Sequence, residues 1–390
     1  GTATPSIDSY HDAVQNGRGG DFPSLIKLEK RVENRPMPEC HIVDMGREFI
    51  DNKNKSMFSA LLSEKINDRL QKRQQSLLFL NRRGHSTFVL CRACGYVVKC
   101  DDCSVSMTFH MQQQTLLCHY CSAVKKAPSR CPQCDSQYIR FFGAGTEKVE
   151  EEFRLKFPNA RVARLDSDIL TSKKISSKIL DDFAKKKIDV LIGTQMIAKG
   201  FDFHNITLVG VISADTMLNM PDMFASERTF QILCQVIGRT GRGETEGECV
   251  IQTYNPDNYA ITCAAASDFI SFYENEAAVR KGLFYPPFSK MIKISFAHPE
   301  ETLILETASA LAGEINERIK AAGGGKLRLT GPAPSLVAKI QNIYRYNIFV
   351  YAGSDEIIRE SLLDILKKYS FTNKKQCVKI SVDVSPNNTF

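Results

Sequence analysis

The chain has 390 residues, a formal charge of +7, 43% hydrophobic residues and 24% charged ones. That composition fits a globular protein of two or three domains. It excludes a membrane-spanning protein of helical type, since no apolar run approaches the roughly eighteen residues a spanning helix needs, and the N-terminal stretch carries no signal-peptide pattern. The charge excess alone does not identify a nucleic-acid binder, so function has to be read from motifs.

In chain order, Gly1-Thr2-Ala3-Thr4-Pro5 lacks an initiator Met and looks like a strand end and turn, as expected of a piece of a longer protein. The first fifty residues read as loop-rich, with Pro5, Pro23, Pro36 and Pro38. The spacing of Phe58, Leu61, Leu62, Ile66 and Leu70 predicts an amphipathic helix over 57–74. A buried strand follows at 76–80, then the polar turn Asn81-Arg82-Arg83-Gly84. Beyond a cysteine-rich stretch, helices are expected at 147–157, about 172–186 and 227–236, alternating with strands at 161–165, 190–193, 207–212 and 247–254. The strands at 190–193 and 207–212 are apolar without alternation, as in parallel sheets covered on both faces. This rhythm predicts a doubly wound parallel sheet. A helix at 268–281 and the turn Tyr285-Pro286-Pro287 mark a boundary. After it, strand 291–297, helix 300–321, strand 327–330, strand 344–351, helix 355–369 and strand 377–384 make a βαββαβ order, which predicts a ferredoxin-like α+β domain.

Eight of the thirteen cysteines form four Cys-x-x-Cys pairs in one run: Cys91/Cys94, Cys100/Cys103, Cys118/Cys121 and Cys131/Cys134. They supply the thiolates for two tetrahedral Zn²⁺ sites. Sites closed by four sulfurs leave no position for a catalytic water, so these metals fold a module and do no chemistry. The competing disulfide reading requires an oxidising compartment; thiolate ligands instead place the protein in a reducing cytoplasm. Two short strand-like runs, 106–110 and 115–117, favour an inner site of Cys100, Cys103, Cys118 and Cys121 enclosed by an outer one of Cys91, Cys94, Cys131 and Cys134. Pairing of sequential neighbours stays open on spacing alone. His110 and His119 are expected at the surface. Two loaded sites would lower the net charge to about +3. Cys40, Cys234, Cys249 and Cys263 read as small buried hydrophobes, and Cys377 as a strand residue.

A second motif is Gln235-Val236-Ile237-Gly238-Arg239-Thr240-Gly241-Arg242. Two arginines three apart after a helix can present guanidinium forks to a polyphosphate, and the glycines allow close backbone approach. About forty residues earlier, the run Thr194 to Phe203 follows an apolar strand, at the edge where open α/β sheets bind ligands. The pair of segments resembles superfamily 2 helicases. With the eight-cysteine insertion, Thr2-Ala3-Thr4-Pro5-Ser6 (similar to helicase motif III, Thr2 replacing Ser) and Leu78-Phe79-Leu80-Asn81-Arg82-Arg83-Gly84 (similar to motif IV), the chain resembles the PriA family of bacterial replication-restart helicases over essentially its whole length. Gly143 to Glu147 and Gly331 to Pro334 also look like segments of that family, and Thr240 stands where it often has Ala.

The resemblance implies a RecA-like second lobe at 57–90 and 135–282 carrying an inserted two-zinc module at 91–134. It implies a segment 1–56 following motif III that links into the lobe, and a C-terminal α+β domain at 283–390. It implies nested zinc pairs. Arg239 and Arg242 would contact ATP phosphates, with Arg242 the preferred arginine finger and Gln235 organising the interface. Gly200 and Asp202 would lie near the nucleotide; Thr194, Asn81 and Arg83 would touch DNA. The implied whole is an ATP- and Mg²⁺-dependent 3′-to-5′ helicase at forked and single-stranded DNA, with single-strand-binding protein and other primosome proteins as partners and no membrane. No Gly-x-x-x-x-Gly-Lys-Ser/Thr phosphate loop occurs in the chain, so this stretch alone is expected to be inactive as an ATPase. Two alternatives stand: a zinc-bearing DNA and protein docking unit without a motor role, with Tyr344-Arg345-Tyr346 and Lys367-Lys368-Tyr369 as contacts, or another superfamily 2 helicase.

Overall fold

The computed structural model describes residues 2–16, 25–26, 37–81, 88–110, 113–142, 145–166, 173–198, 205–241, 246–321, 327–354, 364–365, 369 and 378–386. Its largest sheet has six strands, all parallel. In spatial order they are β1 (Glu39–Asp44), β11 (Glu248–Thr253), β10 (Ile206–Ser213), β2 (Gln75–Leu80), β9 (Val190–Gly193) and β8 (Val162–Leu165). Successive side chains of one strand feed different cores. Leu77 and Phe79 of β2, with Val209 and Val211 of β10, join one apolar cluster. Leu78, Leu80, Leu208 and Ile212 join the other. That is why these strands read as unbroken apolar runs.

Helices cover both faces. The second cluster is closed by α3 (Ala60–Gln71) and α4 (Thr146–Lys156). The first is closed by α1 (Ile7–Asn16), α5 (Lys173–Ala184), the short α6 (Gln195–Ala198) and α7 (Asp215–Leu218), then α8 (Ala225–Ile237), α9 (Tyr259–Ala266) and α10 (Phe269–Leu283). Ser59 caps α3 by accepting from the Leu62 amide. Among the first fifty residues, the described ones hold more regular structure than the prolines suggested. Besides α1 they supply the edge strand β1 and a short helix α2 (Met45–Ile50), capped by Asp44. The strand was hidden because Glu39-Cys40-His41-Ile42 has no clear apolar period; its pairing with β11 is what makes it a strand.

The cysteine-rich module rises from the lobe on an antiparallel stalk, β3 (Phe88–Cys91) against β7 (Ile139–Phe142). It carries the expected hairpin, β4 (Thr108–His110) and β5 (Thr115–Leu117), plus a third strand, β6 (Val124–Lys126). The last sheet is antiparallel, in the order β13 (Leu327–Ile340), β14 (Ile343–Ala352), β12 (Lys290–His298), β15 (Lys379–Val384). Numbered within the domain that is 2-3-1-4, the ferredoxin-like order, with α11 (Glu301–Ala321) on one face. The expected strand at 327–330 runs on to Ile340, through two register shifts that accommodate Pro332 and Pro334. The expected helix at 355–369 and Cys377 fall largely outside the described residues.

Candidate metal centres and motif surfaces

The thiol groups gather as the nested set. One group is Cys91, Cys94, Cys131 and Cys134; the other is Cys100, Cys103, Cys118 and Cys121. The sulfurs of Cys91 and Cys134 lie 3.7 Å apart, those of Cys94 and Cys131 3.6 Å, and those of Cys100 and Cys121 3.6 Å. A tetrahedron with metal–sulfur bonds near 2.3 Å has edges of about 3.8 Å, so both groups fit Zn²⁺. Burial pushes the Cys94 thiol up and the Cys121 thiol up to about 12. Only a bound cation would bring all four sulfurs of a group to thiolate near neutral pH.

All four pairs are built the same way. The amide four residues after the first cysteine donates to that cysteine's carbonyl: Gly95 to Cys91, Ser104 to Cys100, Ser122 to Cys118 and Asp135 to Cys131, at 2.9 to 3.0 Å. That fourth residue has positive φ each time, 73°, 55°, 64° and 55°. The first cysteine's own amide then donates onward, to Tyr96, Val105, Ala123 and Ser136 respectively. Gly, Ser and Asp at these places were a legible signal that the pair spacing alone did not use.

The two groups face different neighbours. The outer one sits on the lobe: Arg92 Nε donates to the Tyr254 hydroxyl at 3.2 Å. Gly95 packs so closely on the Tyr254 carbonyl that a β-carbon there would lie 2.1 Å from its oxygen. The inner group faces the C-terminal domain. There His119 overturns the surface expectation: it is 5% exposed, and its Nδ1 lies 2.8 Å from the Pro334 carbonyl. Burial holds it down at about 4. It is therefore neutral at ordinary pH and donates Nδ1–H to that carbonyl. His110, 5.5 Å away ring to ring, is half-buried and lowered for the same reason. A third cluster, Glu39, His41 and Glu248, also converges. Its Glu248, however, is paired with Lys65 and Arg69, which oppose a cation there.

Among the helicase-type motifs, the structure places the described residues on two opposite edges of the parallel sheet. Asn81 and Thr194 follow β2 and β9 just beyond the registered pair Phe79↔Gly193, so they share the C-terminal edge. Both are buried, and Asn81 Oδ1 has no hydrogen-bond partner. Asp215 lies at the same edge, held above the ordinary carboxylate range by burial although it accepts from Asn255 Nδ2, the Tyr254 amide and Thr253 Oγ1. The arginine motif is at the other edge. Thr240 is fully buried and donates to the carbonyl of Ile206, where β10 begins. Gly241 follows at φ 69°. Gln235 is in the last turn of α8 with Oε1 buried and unpartnered, and half-buried Arg239 comes just after. Arg83, Gly200, Asp202 and Arg242 lie outside the described residues.

Of the aromatic–basic surface at 344–346, Tyr346 is 8% exposed with its hydroxyl on Glu301. Tyr344 carries Lys339 over its ring at 4.3 Å. Lys367 and Lys368 are outside the described residues, and the Tyr369 hydroxyl donates to Glu314. Cys249 and Cys263 are buried as read, while Cys40 and Cys234 are half-buried. Among the described residues no helix is long and apolar enough to cross a membrane.

Three family models match the chain: Helicase conserved C-terminal domain over 134–244, PriA DNA helicase Cys-rich region (CRR) domain over 100–126, and Primosomal protein N C-terminal domain over 281–387. The Replication restart protein PriA of Bacillus subtilis is 43% identical over 386 residues, covering 99% of this chain and 47% of that protein. Its counterpart in Synechocystis is 40% identical, over 90% of this chain and 42% of the relative. That of Rickettsia conorii is 38% identical, over 99% and 57%. The chain thus spans about half the length of the curated relatives it matches.

Proposed function

The chain belongs to the PriA family, and from that premise we propose that it forms the second helicase lobe, two-zinc module and C-terminal domain of an ATP-dependent DNA helicase that restarts replication. The observation that carries this reading is the nested pair of four-cysteine groups set on a parallel lobe of helicase type. Each group would hold one Zn²⁺, which supplies cross-linking of the module and no reactive ligand position. The full protein would move 3′-to-5′ and act at stalled forks. Its partners would be forked and single-stranded DNA, single-strand-binding protein and other primosome proteins, in the bacterial cytoplasm.

The division of the motif residues between two sheet edges supports two separate tasks. Asn81 and Thr194, with Arg83, would present polar groups to a DNA backbone at one edge. Arg239 and Arg242 would set their guanidinium groups against ATP phosphates at the other, stabilising charge that builds up as the terminal phosphoryl group transfers. The buried bond from the Thr240 hydroxyl to the Ile206 carbonyl supports this reading, since it would hold the backbone next to Arg239. Gln235 has an open acceptor with which to orient that interface, and Gly200 and Asp202 would border the nucleotide. No phosphate loop occurs in the chain, so ATP turnover is expected only when such a lobe is joined to it.

Fluorescence anisotropy of the zinc-loaded chain, against forked and plain duplex DNA over a salt series, tests the reading. Preference for the fork supports branch recognition by this half of the helicase. Equal, steeply salt-dependent binding to both would reduce it to phosphate attraction and move branch recognition elsewhere. DNA-stimulated ATP turnover by the chain alone would overturn the assignment of a single lobe.

A further inference from the structure

With zinc in both groups, as proposed above, we infer that the two metals have separate mechanical tasks: the outer one seats the module on the lobe, and the inner one is the joint that holds the C-terminal domain in place. Three polar ties reach from the inner knuckles to the C-terminal part of the chain. The Tyr285 hydroxyl donates to the carbonyl of Cys103 at 3.0 Å. His119 Nδ1 meets the Pro334 carbonyl at 2.8 Å, and Ser122 Oγ donates to the Pro332 carbonyl at 3.0 Å. His119 and Tyr120 lie between the two ligands Cys118 and Cys121, so their positions are set by the knuckle itself.

Tyr120 is the centre of this joint. It is 1% exposed, stacks on Phe349 of β14 at 4.9 Å, and accepts from the amide of Met223, which belongs to the lobe. One side chain thereby touches module, lobe and C-terminal sheet. Around it, Met223, Phe224, Tyr285, Met291, Phe349 and Tyr351 share one buried cluster with cysteines of both groups, so what sets the inner group apart is that the three polar ties just named leave from its knuckles. The C-terminal sheet uses alternate residues in two ways: Ile348 and Val350 pack under α11, whereas Phe349 and Tyr351 pack on the module. The outer group has another orientation. Arg92 and Gly95 bear on Tyr254 of the lobe, and Cys134 is exposed.

A four-cysteine site that loses its metal leaves its thiols with no cross-link, and its knuckles lose the geometry that the metal imposes. Loss of the inner metal should therefore release the C-terminal sheet, while loss of the outer one should loosen the stalk and leave Tyr120 stacked on Phe349.

The test is zinc content together with hydrogen-exchange mass spectrometry on the full chain and three variants. The double variant Cys118→Ser/Cys121→Ser should retain one zinc, and amides at 285–291 and 346–351 should exchange at least about tenfold faster. The variant Cys131→Ser/Cys134→Ser should also retain one zinc, with those amides unchanged. Tyr120→Ala should keep both metals and still open the junction, and protection at 77–79 and 208–211 shows in each case that the lobe is folded. The inference is overturned if the inner-site variant and Tyr120→Ala protect the junction like the parent chain, or if the outer-site variant opens it equally. A parent chain with fewer than two zinc ions would instead refute the zinc assignment, an outcome read from metal content alone.

Discussion

Replacing Arg280 by Met probes the polar tie that fastens α10 to the lobe. The guanidinium is 2% exposed and donates Nη2 to Glu227 Oε2 and Nε to Glu276 Oε1, each at 2.7 Å. It also donates Nη1 to the Pro286 carbonyl at 3.3 Å and lies 5.2 Å over the Phe224 ring. Met occupies much of the same volume, so the cost comes from two carboxylates left buried without their cation. Breaking a buried pair from one side costs about 3–5 kcal/mol. Glu276 keeps the Tyr259 hydroxyl and Glu227 keeps Gln231, which places the expected loss toward the lower end, about 3 kcal/mol.

The pH dependence gives a second handle. Burial already holds Glu227 above the ordinary carboxylate range, with Arg280 pulling it down. Without Arg280 it rises further, so the folded state binds a proton more tightly than the unfolded chain. Stability then falls as pH rises above the unfolded value, and the deficit should be smaller at about pH 5 than at about pH 8. Urea midpoints followed by circular dichroism measure both. A deficit below about 1 kcal/mol, or one equal at the two pH values, would refute the reasoning; the double variant Glu227→Gln/Arg280→Met should recover part of the loss.

Two further substitutions test the motif surfaces. Gly95→Ala combines φ 73° with a β-carbon 2.1 Å from the Tyr254 oxygen, and should destabilise the module by about 2 kcal/mol or more, seen as faster release of zinc to a chromogenic chelator. Parent-like release would show that the contact yields cheaply. Thr240→Val removes the buried hydroxyl bond to the Ile206 carbonyl and should cost about 1 kcal/mol of thermal stability. In an enzyme completed by a phosphate-loop lobe it should lower ATP turnover, through Arg239, more than DNA affinity; equal losses would contradict the separation of the two edges.

Much of this protein was legible locally. Unbroken apolar runs such as Val190–Gly193 announce strands covered on both faces, because only a parallel sheet between helix layers buries every residue. Eight cysteines in four identical spacings announce two four-sulfur ligand sets, because four such pairs in succession supply the donors of two tetrahedral sites. The arginine motif was recognisable because its chemistry needs particular residues close together in the chain. What depended on distant partners was not legible. Glu39–Asp44 is a strand only because β11 offers it an edge. His119 looked like a surface residue because nothing in Cys118-His119-Tyr120-Cys121 reveals a carbonyl at Pro334 waiting for its proton. Most element types, the ligand set and the motif residues rest on short-range periodicity or spacing, and so could be read from the chain before it folds. The nesting of the sites was already favoured by the hairpin between Cys103 and Cys118, whereas the opposite edges occupied by Thr194 and Thr240, and the meeting of module, lobe and C-terminal sheet at Tyr120, came with the folded molecule. Those are relations between segments far apart in the chain, set by packing and not by local pattern.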